Sequence, residues 1–86
     1  MKLIKIGAEW CGPCKTLDKK LEGFNTCPLE KYDVDTEEAE PIVDKYNVRN
    51  VPVLVLVDDE KDEVVKKWVG SATIDEINKE IENYKG

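Results

Sequence analysis

Residues 51–57 restrict the fold more than any other part of this sequence. Apart from Pro52, every residue of this stretch is Val or Leu. A strand of this composition has no polar face to turn to water, so it belongs inside a sheet that is covered on both faces. The same stretch holds the longest apolar run of the chain, which is far shorter than the ~20 residues of a membrane-spanning helix. The sequence therefore predicts an α/β architecture and no membrane association.

Two periodic patterns fill the rest of the chain. Apolar residues at helical spacing predict three amphipathic helices. The first carries Cys14, Leu17, Leu21 and Phe24, the second Ala39, Ile42, Val43 and Tyr46, and the third Ile74, Ile77, Ile81 and Tyr84. Strand patterns occupy residues 3–6, 30–35 and 64–69.

The ends of these elements carry recognisable signals. Pro41 suits the first turn of the second helix, and Gly70 ends the last strand. Thr73 and Glu76 are spaced as a capping box for the final helix. A polar turn over residues 58–62 makes the last two strands a hairpin. The predicted order is β-α-β-α-β-β-α, a four-stranded mixed sheet flanked by helices, in a single domain over residues 1–86.

Charge and cysteine usage exclude several classes of function. The formal net charge is −6, and no cluster of Lys and Arg with interleaved aromatic residues is present, which argues against nucleic-acid binding. The first residues are too poor in apolar side chains for a signal peptide. The cysteine count is 3, which does not fit the even disulfide framework of a small secreted protein. We therefore expect a reducing compartment, the cytoplasm, and a reactive cysteine pair.

The run Trp10-Cys11-Gly12-Pro13-Cys14-Lys15 lies between a strand and the first helix. Two cysteines three residues apart in a first turn can form a disulfide and reopen it without a change of fold. Unpaired N–H groups at the helix start favour the thiolate of Cys11. Pro13 lacks an N–H that would be unsatisfied there and stiffens the turn. Cys14 falls on the apolar stripe, so we expect it to be both buried and reactive.

Other interpretations of the cysteines are weaker. A closed zinc site needs four ligands, whereas this chain offers one further cysteine and no histidine, so we expect no metal. Cys27 precedes a strand with no nearby partner in the sequence, and we expect no redox role for it.

Three separated motifs together resemble the thioredoxin family. Trp10-Cys11-Gly12-Pro13-Cys14-Lys15 after a strand is similar to the family signature, Arg49-Asn50-Val51-Pro52 to its cis-proline segment, and Trp68-Val69-Gly70 before a capped helix to its closing elements. The resemblance extends over nearly all of the chain and implies the thioredoxin fold.

The resemblance also implies a substrate-binding face. Pro52 would be cis and packed beside the cysteines, leaving the backbone of Val51 to pair with an extended substrate. The face around an exposed Cys11 would consist of Trp10, Gly12, Pro13, Val51 and Gly70. The alternative is that Trp10 and Trp68 simply fill the core.

Two departures from the family are visible. The chain starts at the family's second strand, so we expect a minimal form without the usual first strand and helix.

Lys5 occupies the position six residues before the first cysteine, where the family has a buried carboxylate that handles the proton of the second thiol. Strand alternation and the family match place Lys5 beneath Cys14, so it joins Cys11 and Cys14 as a candidate catalytic residue. A charged Lys5 would favour thiolate, a neutral one would accept the proton of Cys14, and a side chain that extends to the sheet edge would do neither.

The implied activity is reduction of protein disulfides by a monomeric electron carrier without a cofactor. Its partners would be disulfide-containing proteins and, as electron donor, a flavoprotein of the thioredoxin-reductase type. A glutathione-linked redoxin similar to glutaredoxins and a non-enzymatic interaction module are the alternatives.

Overall fold

The computed structural model describes residues 1–85, except for the side chain of Lys85. The strands are β1 (Lys2–Gly7), β2 (Leu29–Asp33), β3 (Val53–Asp58) and β4 (Glu63–Val69). The helices are α1 (Gly12–Lys20), α2 (Glu40–Lys45), which follows a 3₁₀ turn at Glu37–Ala39, and α3 (Ile74–Lys85). The predicted order of elements is confirmed.

The four strands form one mixed sheet in the order β2-β1-β3-β4. β1 and β2 are parallel, whereas β3 runs antiparallel to both β1 and β4. Every residue of β3 is buried, as predicted for an inner strand covered on both faces. The sheet therefore has the mixed topology that the sequence predicted.

The side chains of β3 divide the core into two layers. Leu54 and Leu56 point to the face covered by α1 and α3, where they pack with Leu17 and Ile77. The valines of β3 point to the opposite face, where residues in and around α2 cover them. Because each buried aliphatic side chain contributes roughly 1.5–3 kcal/mol, these two layers hold the helices against the sheet.

Phe24 and Tyr84 differ from their predicted positions. α1 ends at Lys20, and Gly23 has φ +84°, so Phe24 follows a turn rather than continuing the helix, although it still packs against the core. Tyr84 is predicted on the buried side of α3, but it is exposed and its hydroxyl donates to Asp58. The apolar periodicity thus continues past the end of α1 at Phe24, and past the buried part of α3 at Tyr84.

The predicted end signals are present. Pro41 lies in the first turn of α2, and the Thr73 Oγ1 accepts the N–H of Glu76 at 3.2 Å. Gly70 has φ +103° and donates its N–H to the carbonyl of Pro52 at 2.9 Å, so this glycine joins the end of β4 to the segment before β3. None of the helices in residues 1–85 has the length and apolar character of a membrane span.

Candidate active site

The cysteine pair lies where β1 passes into α1. Cys11 is the N-cap residue of α1, with φ −93° and ψ 110°, and it forms a disulfide with Cys14 across a Cα–Cα distance of 5.3 Å. The Sγ of Cys11 accepts the N–H of Cys14 at 3.2 Å. A sulfur at this position receives an N–H that the helix itself leaves unsatisfied, which stabilises negative charge on Cys11 once the disulfide opens.

Burial distinguishes the two sulfurs less than expected. Cys14 is 1% exposed, as predicted, but Cys11 is only 6% exposed, so the expectation of an exposed Cys11 is wrong for the disulfide form. The pair packs with Ala8, and the half-buried side chains of Val34 and Val51 cover it. The family resemblance implied Val51 beside the cysteines, but no sequence pattern indicates Val34, which is far away along the chain.

The segment before β3 has the expected conformation. The Val51–Pro52 peptide bond is cis, Pro52 is buried, and Val51 packs against the cysteine cluster. The strand ladders of β3 begin at Val53, so Val51 lies beyond the paired part of the sheet. Its backbone is therefore placed beside the disulfide but outside the regular strand pairing.

A shallow groove of about 450 Å³ lies on this side, and Val34 and Val51, which cover the disulfide, both line it. Its lining consists of Trp10, Val34, Val43, Val48, Arg49, Asn50 and Val51. Of the predicted binding residues, Gly12 and Pro13 are exposed at the start of α1, and Gly70 is half-buried. Sequence reasoning missed Val34, Val43 and Val48 as groove residues. The strand and helix patterns of Val34 and Val43 indicate only core packing, and Val48 lies in no predicted element.

The two tryptophans have different environments. Trp10 is 70% exposed and its Nε1 donates to Asp35 at 2.9 Å, so the core alternative for Trp10 is wrong. Trp68 is half-buried and packs against the layer under α1 and α3. Trp10 is thus available at the rim of the groove, whereas Trp68 supports the sheet.

Lys5 lies on the α1 side of the sheet and does not reach the sheet edge. Its side chain is 8% exposed, and its Nζ donates to the Asp18 Oδ1 at 2.8 Å. The alternative in which this long side chain extends into solvent is therefore wrong. A second lysine, Lys31, reaches the same Asp18 oxygen at 3.4 Å.

Gly7 permits close approach of Lys5 to the cysteine pair. A Cβ atom at Gly7 would lie 3.1 Å from the Cys14 Sγ and 3.2 Å from the Lys5 Nζ. Both atoms thus border the same small space, and the ammonium and the sulfur are separated by no more than about twice such a contact distance. The predicted proximity of Lys5 to Cys14 is present in the structure.

The electrostatics of this region centre on Asp18. Partial burial works to raise the pKa of Asp18, but the hydrogen bond and charge of Lys5, together with Lys31, hold that pKa below its ordinary value. Sequence reasoning did not single out Asp18. A signal existed, because the residue follows Cys14 by four positions and so lies on the same side of α1.

Cys27 belongs to a different part of the molecule. It is half-buried against the layer that contains Leu3 and Leu17, and not within the cluster formed by Ala8 and the cysteine pair. The structure thus brings together Cys11, Cys14 and Lys5, but not Cys27.

Comparisons with known proteins agree with this geometry. The thioredoxin family model matches residues 1–83. The chain is similar to thioredoxin C-2 of Corynebacterium nephridii, with 37% identity over 81% of this chain and 66% of the relative. It is 33% identical to a Chlamydia trachomatis thioredoxin, over 96% of this chain and 81% of the relative. Among solved structures, a mutant thioredoxin from Halobacterium salinarum has a TM-score of 0.80 and 35% identity, covering 99% of this chain and 74% of that one.

Proposed function

This chain belongs to the thioredoxin family and carries the Cys11–Cys14 pair of a thiol–disulfide oxidoreductase, and from that premise we propose that it reduces disulfide bonds in protein substrates. The observation that carries the proposal is the disulfide at the N-terminus of α1, placed beside an apolar groove. A reversible disulfide beside an apolar groove supports a role in reducing disulfides within polypeptides.

The reaction balances as two thiol–disulfide exchanges. In the reduced protein the Cys11 thiolate attacks one sulfur of the target disulfide, a Cys11–target bond forms, and the other target sulfur leaves as a thiolate. The Cys14 thiolate then attacks the Cys11 Sγ, which forms the Cys11–Cys14 disulfide and releases the second target sulfur. The protein loses two electrons, and the target gains two electrons and takes up two protons.

The residues around the groove are proposed to hold the target. An extended segment of the target would pair with the backbone of Val51, which lies beyond the ladder of β3. Trp10 offers a large exposed ring at the rim, while Gly12, Pro13, Pro52 and Gly70 complete the surface around Cys11. Large apolar side chains of the target would be covered there without a deep pocket.

Lys5 is proposed to assist the second exchange. Cys14 must lose its proton before it attacks, and it is almost fully buried. A neighbouring ammonium favours the thiolate because opposite charges attract strongly where water is scarce. Lys5 would thus lower the free energy of the thiolate that resolves the mixed disulfide.

Electrons must be returned to the oxidised pair by another molecule. We propose a thioredoxin-reductase-type flavoprotein as donor, a single domain over residues 1–86, a monomeric state and a cytoplasmic location. The cysteine count of 3 supports a reducing, intracellular setting.

The test compares two sources of electrons. Oxidised protein is mixed with insulin and either NADPH with a thioredoxin reductase or NADPH with glutathione and glutathione reductase. We expect insulin reduction only with the thioredoxin reductase. Reduction through glutathione alone would instead establish the glutaredoxin-like alternative, and no reduction with either donor, or with dithiothreitol, would overturn the enzymatic proposal. A Cys11→Ser, Cys14→Ser double variant that retains full partner binding would support the interaction module.

A further inference from the structure

Behind the cysteine pair lies a second cleft, of about 570 Å³, that shares no lining residue with the groove. Lys5, Gly7 and Ala8 line it at the end of β1. Its other titratable side chains come from the loop, from α1 and from β2, and they are Glu9, Lys15, Asp18, Lys31, Tyr32 and Asp33. The cleft thus gives the Lys5–Asp18 pair access to solvent without crossing the proposed target surface.

The position of the Lys5 ammonium depends on one carboxylate. A lysine side chain is flexible, and a buried charge without a partner is costly. An unpaired Lys5 would therefore extend further into the solvent of the cleft, away from Cys14, or lose its proton. The Asp18 Oδ1 accepts a hydrogen bond from the Lys5 Nζ at 2.8 Å. Lys31 meets the same oxygen at a longer distance and is exposed, so it is the weaker competitor.

We propose that Asp18 is a positioning residue that fixes the Lys5 ammonium beside Cys14, so that the resolving thiolate forms next to a fixed positive charge. The proposal rests on the proposed function, since it concerns the second exchange of that reaction. A carboxylate reached from α1 would thereby contribute to proton control at Cys14, even though the strand position beneath the sulfur holds a lysine.

Two roles for Asp18 predict shifts of opposite sign. If Asp18 holds Lys5 in place, its removal takes the positive charge away from Cys14 and raises the pKa of the Cys14 thiol. If Asp18 only offsets the charge of a Lys5 that stays in place, its removal leaves Cys14 with more positive charge and lowers that pKa. The remaining charges of the cleft are the same in both cases.

The experiment isolates Cys14 in a Cys11→Ser, Cys27→Ser background and follows its thiolate by ultraviolet absorbance as the pH is raised. We expect Asp18→Asn to raise the apparent pKa of the thiol by about one unit, which is about a tenfold lower thiolate fraction at pH 7. Lys5→Met should raise it similarly, and the double variant should add nothing further, because both changes remove the same charge. Asp18→Glu should restore most of the thiolate.

Asp62→Asn is the matched control, because it removes a carboxylate of the exposed Lys45–Asp62 ion pair and makes the same change in net charge. It should leave the titration unchanged, and circular dichroism checks that each variant is folded. A lowered pKa in Asp18→Asn, an unchanged one, or a shift that adds to that of Lys5→Met would each overturn the assignment. The titration needs no turnover, so failure of the wild-type protein to reduce insulin would count against the proposed function alone.

Discussion

Cys11 and Cys14 differ in what each sulfur can reach. Cys14 is 1% exposed and lies inside the first turn of α1, whereas Cys11 caps the helix beside the groove. We therefore propose that Cys11 attacks the target and that Cys14 then attacks the sulfur next to it.

We expect Cys11→Ser to abolish insulin reduction and Cys14→Ser to accumulate covalent mixed disulfides with the target. Mass spectrometry under non-reducing conditions detects the trapped species. Cys27→Ser should turn over nearly as fast as the wild-type protein, since Cys27 packs against another part of the core. Trapping by the Cys11 variant would reverse the assignment of the two roles.

Gly7 is constrained by space rather than by its backbone angles. A Cβ there would lie 3.1 Å from the Cys14 Sγ, 3.2 Å from the Cys14 Cβ and 3.2 Å from the Lys5 Nζ. These contacts are tight enough that the neighbours must move, and Cys14 is held in the first turn of α1.

Gly7→Ala should therefore lower the free energy of unfolding by about 1–3 kcal/mol, the usual cost of overpacking. Gly12→Ala is the control, because a Cβ at Gly12 meets nothing within 4 Å. Urea unfolding of both variants measures the difference. Equal stabilities would show that the space between Lys5 and Cys14 adapts freely.

β3 supplies both core layers, so its residues should dominate stability. Leu54 is fully buried among α1 and α3 residues, and we expect Leu54→Ala to cost about 2–5 kcal/mol in the free energy of unfolding. Val64→Ala on β4 is the control, since Val64 is exposed and such surface changes stay within about 0.5 kcal/mol. If urea unfolding shows similar losses of stability in the two variants, the assignment of β3 as the inner, buried strand and β4 as the outer, exposed strand is contradicted.

The far ends of α3 and β3 are linked by a hydrogen bond from the Tyr84 hydroxyl to Asp58. Because the bond needs the neutral phenol, it raises the pKa of Tyr84 to about 12 and holds the pKa of Asp58 below its ordinary value. The stabilisation is complete between the ordinary pKa values of the two groups, about 4 for Asp58 and about 10 for Tyr84, and is lost as the pH rises through about 12.

In a spectroscopic titration, we expect Tyr84→Phe to remove the component that ionises near pH 12. The alkaline loss of stability between about pH 10 and 12 should also become shallower in this variant. A wild-type titration in which Tyr84 ionises at its ordinary pH would show that the contact with Asp58 is absent in solution.

The fold could be predicted from the sequence because each helix and strand carries a strong periodic pattern of apolar residues. The apolar run of β3 can be buried only inside the sheet. The stripe that starts at Cys14 and Leu17 on α1 and ends at Leu21, just after the helix, can be buried only against the sheet. Tyr84 was misplaced because an aromatic ring with a polar hydroxyl satisfies the helical period whether it is covered or not.

The active site could be predicted from the sequence only in part. The spacing of Cys11 and Cys14 places them together, but the cover over Cys11 and the pairing of Lys5 with Asp18 depend on contacts between distant elements. Nothing local marks Val34, because an ordinary half-buried strand end would look the same. The spacing of Asp18 from Cys14 places it on the same side of α1, but that spacing alone does not show that Asp18 pairs with Lys5. Long-range packing decides such details.

Asp18 connects the chemistry of the site to the stability of the whole fold through pH. Its pKa is held below the ordinary value in the folded protein, so it binds a proton more readily in the unfolded chain. The stabilisation from this carboxylate is therefore present above its unfolded pKa of about 4 and is lost as the pH falls through its lower folded pKa. Asp18→Asn should unfold more easily than wild type at pH 7, and the gap should close below about pH 4. Urea unfolding at pH 7 and across the acid range measures the difference in the free energy of unfolding between Asp18→Asn and wild type. Asp62→Asn is the control, because it removes a carboxylate from an exposed ion pair. A gap that persists unchanged into acid would mean that Asn at position 18 destabilises the fold by packing and not by loss of charge.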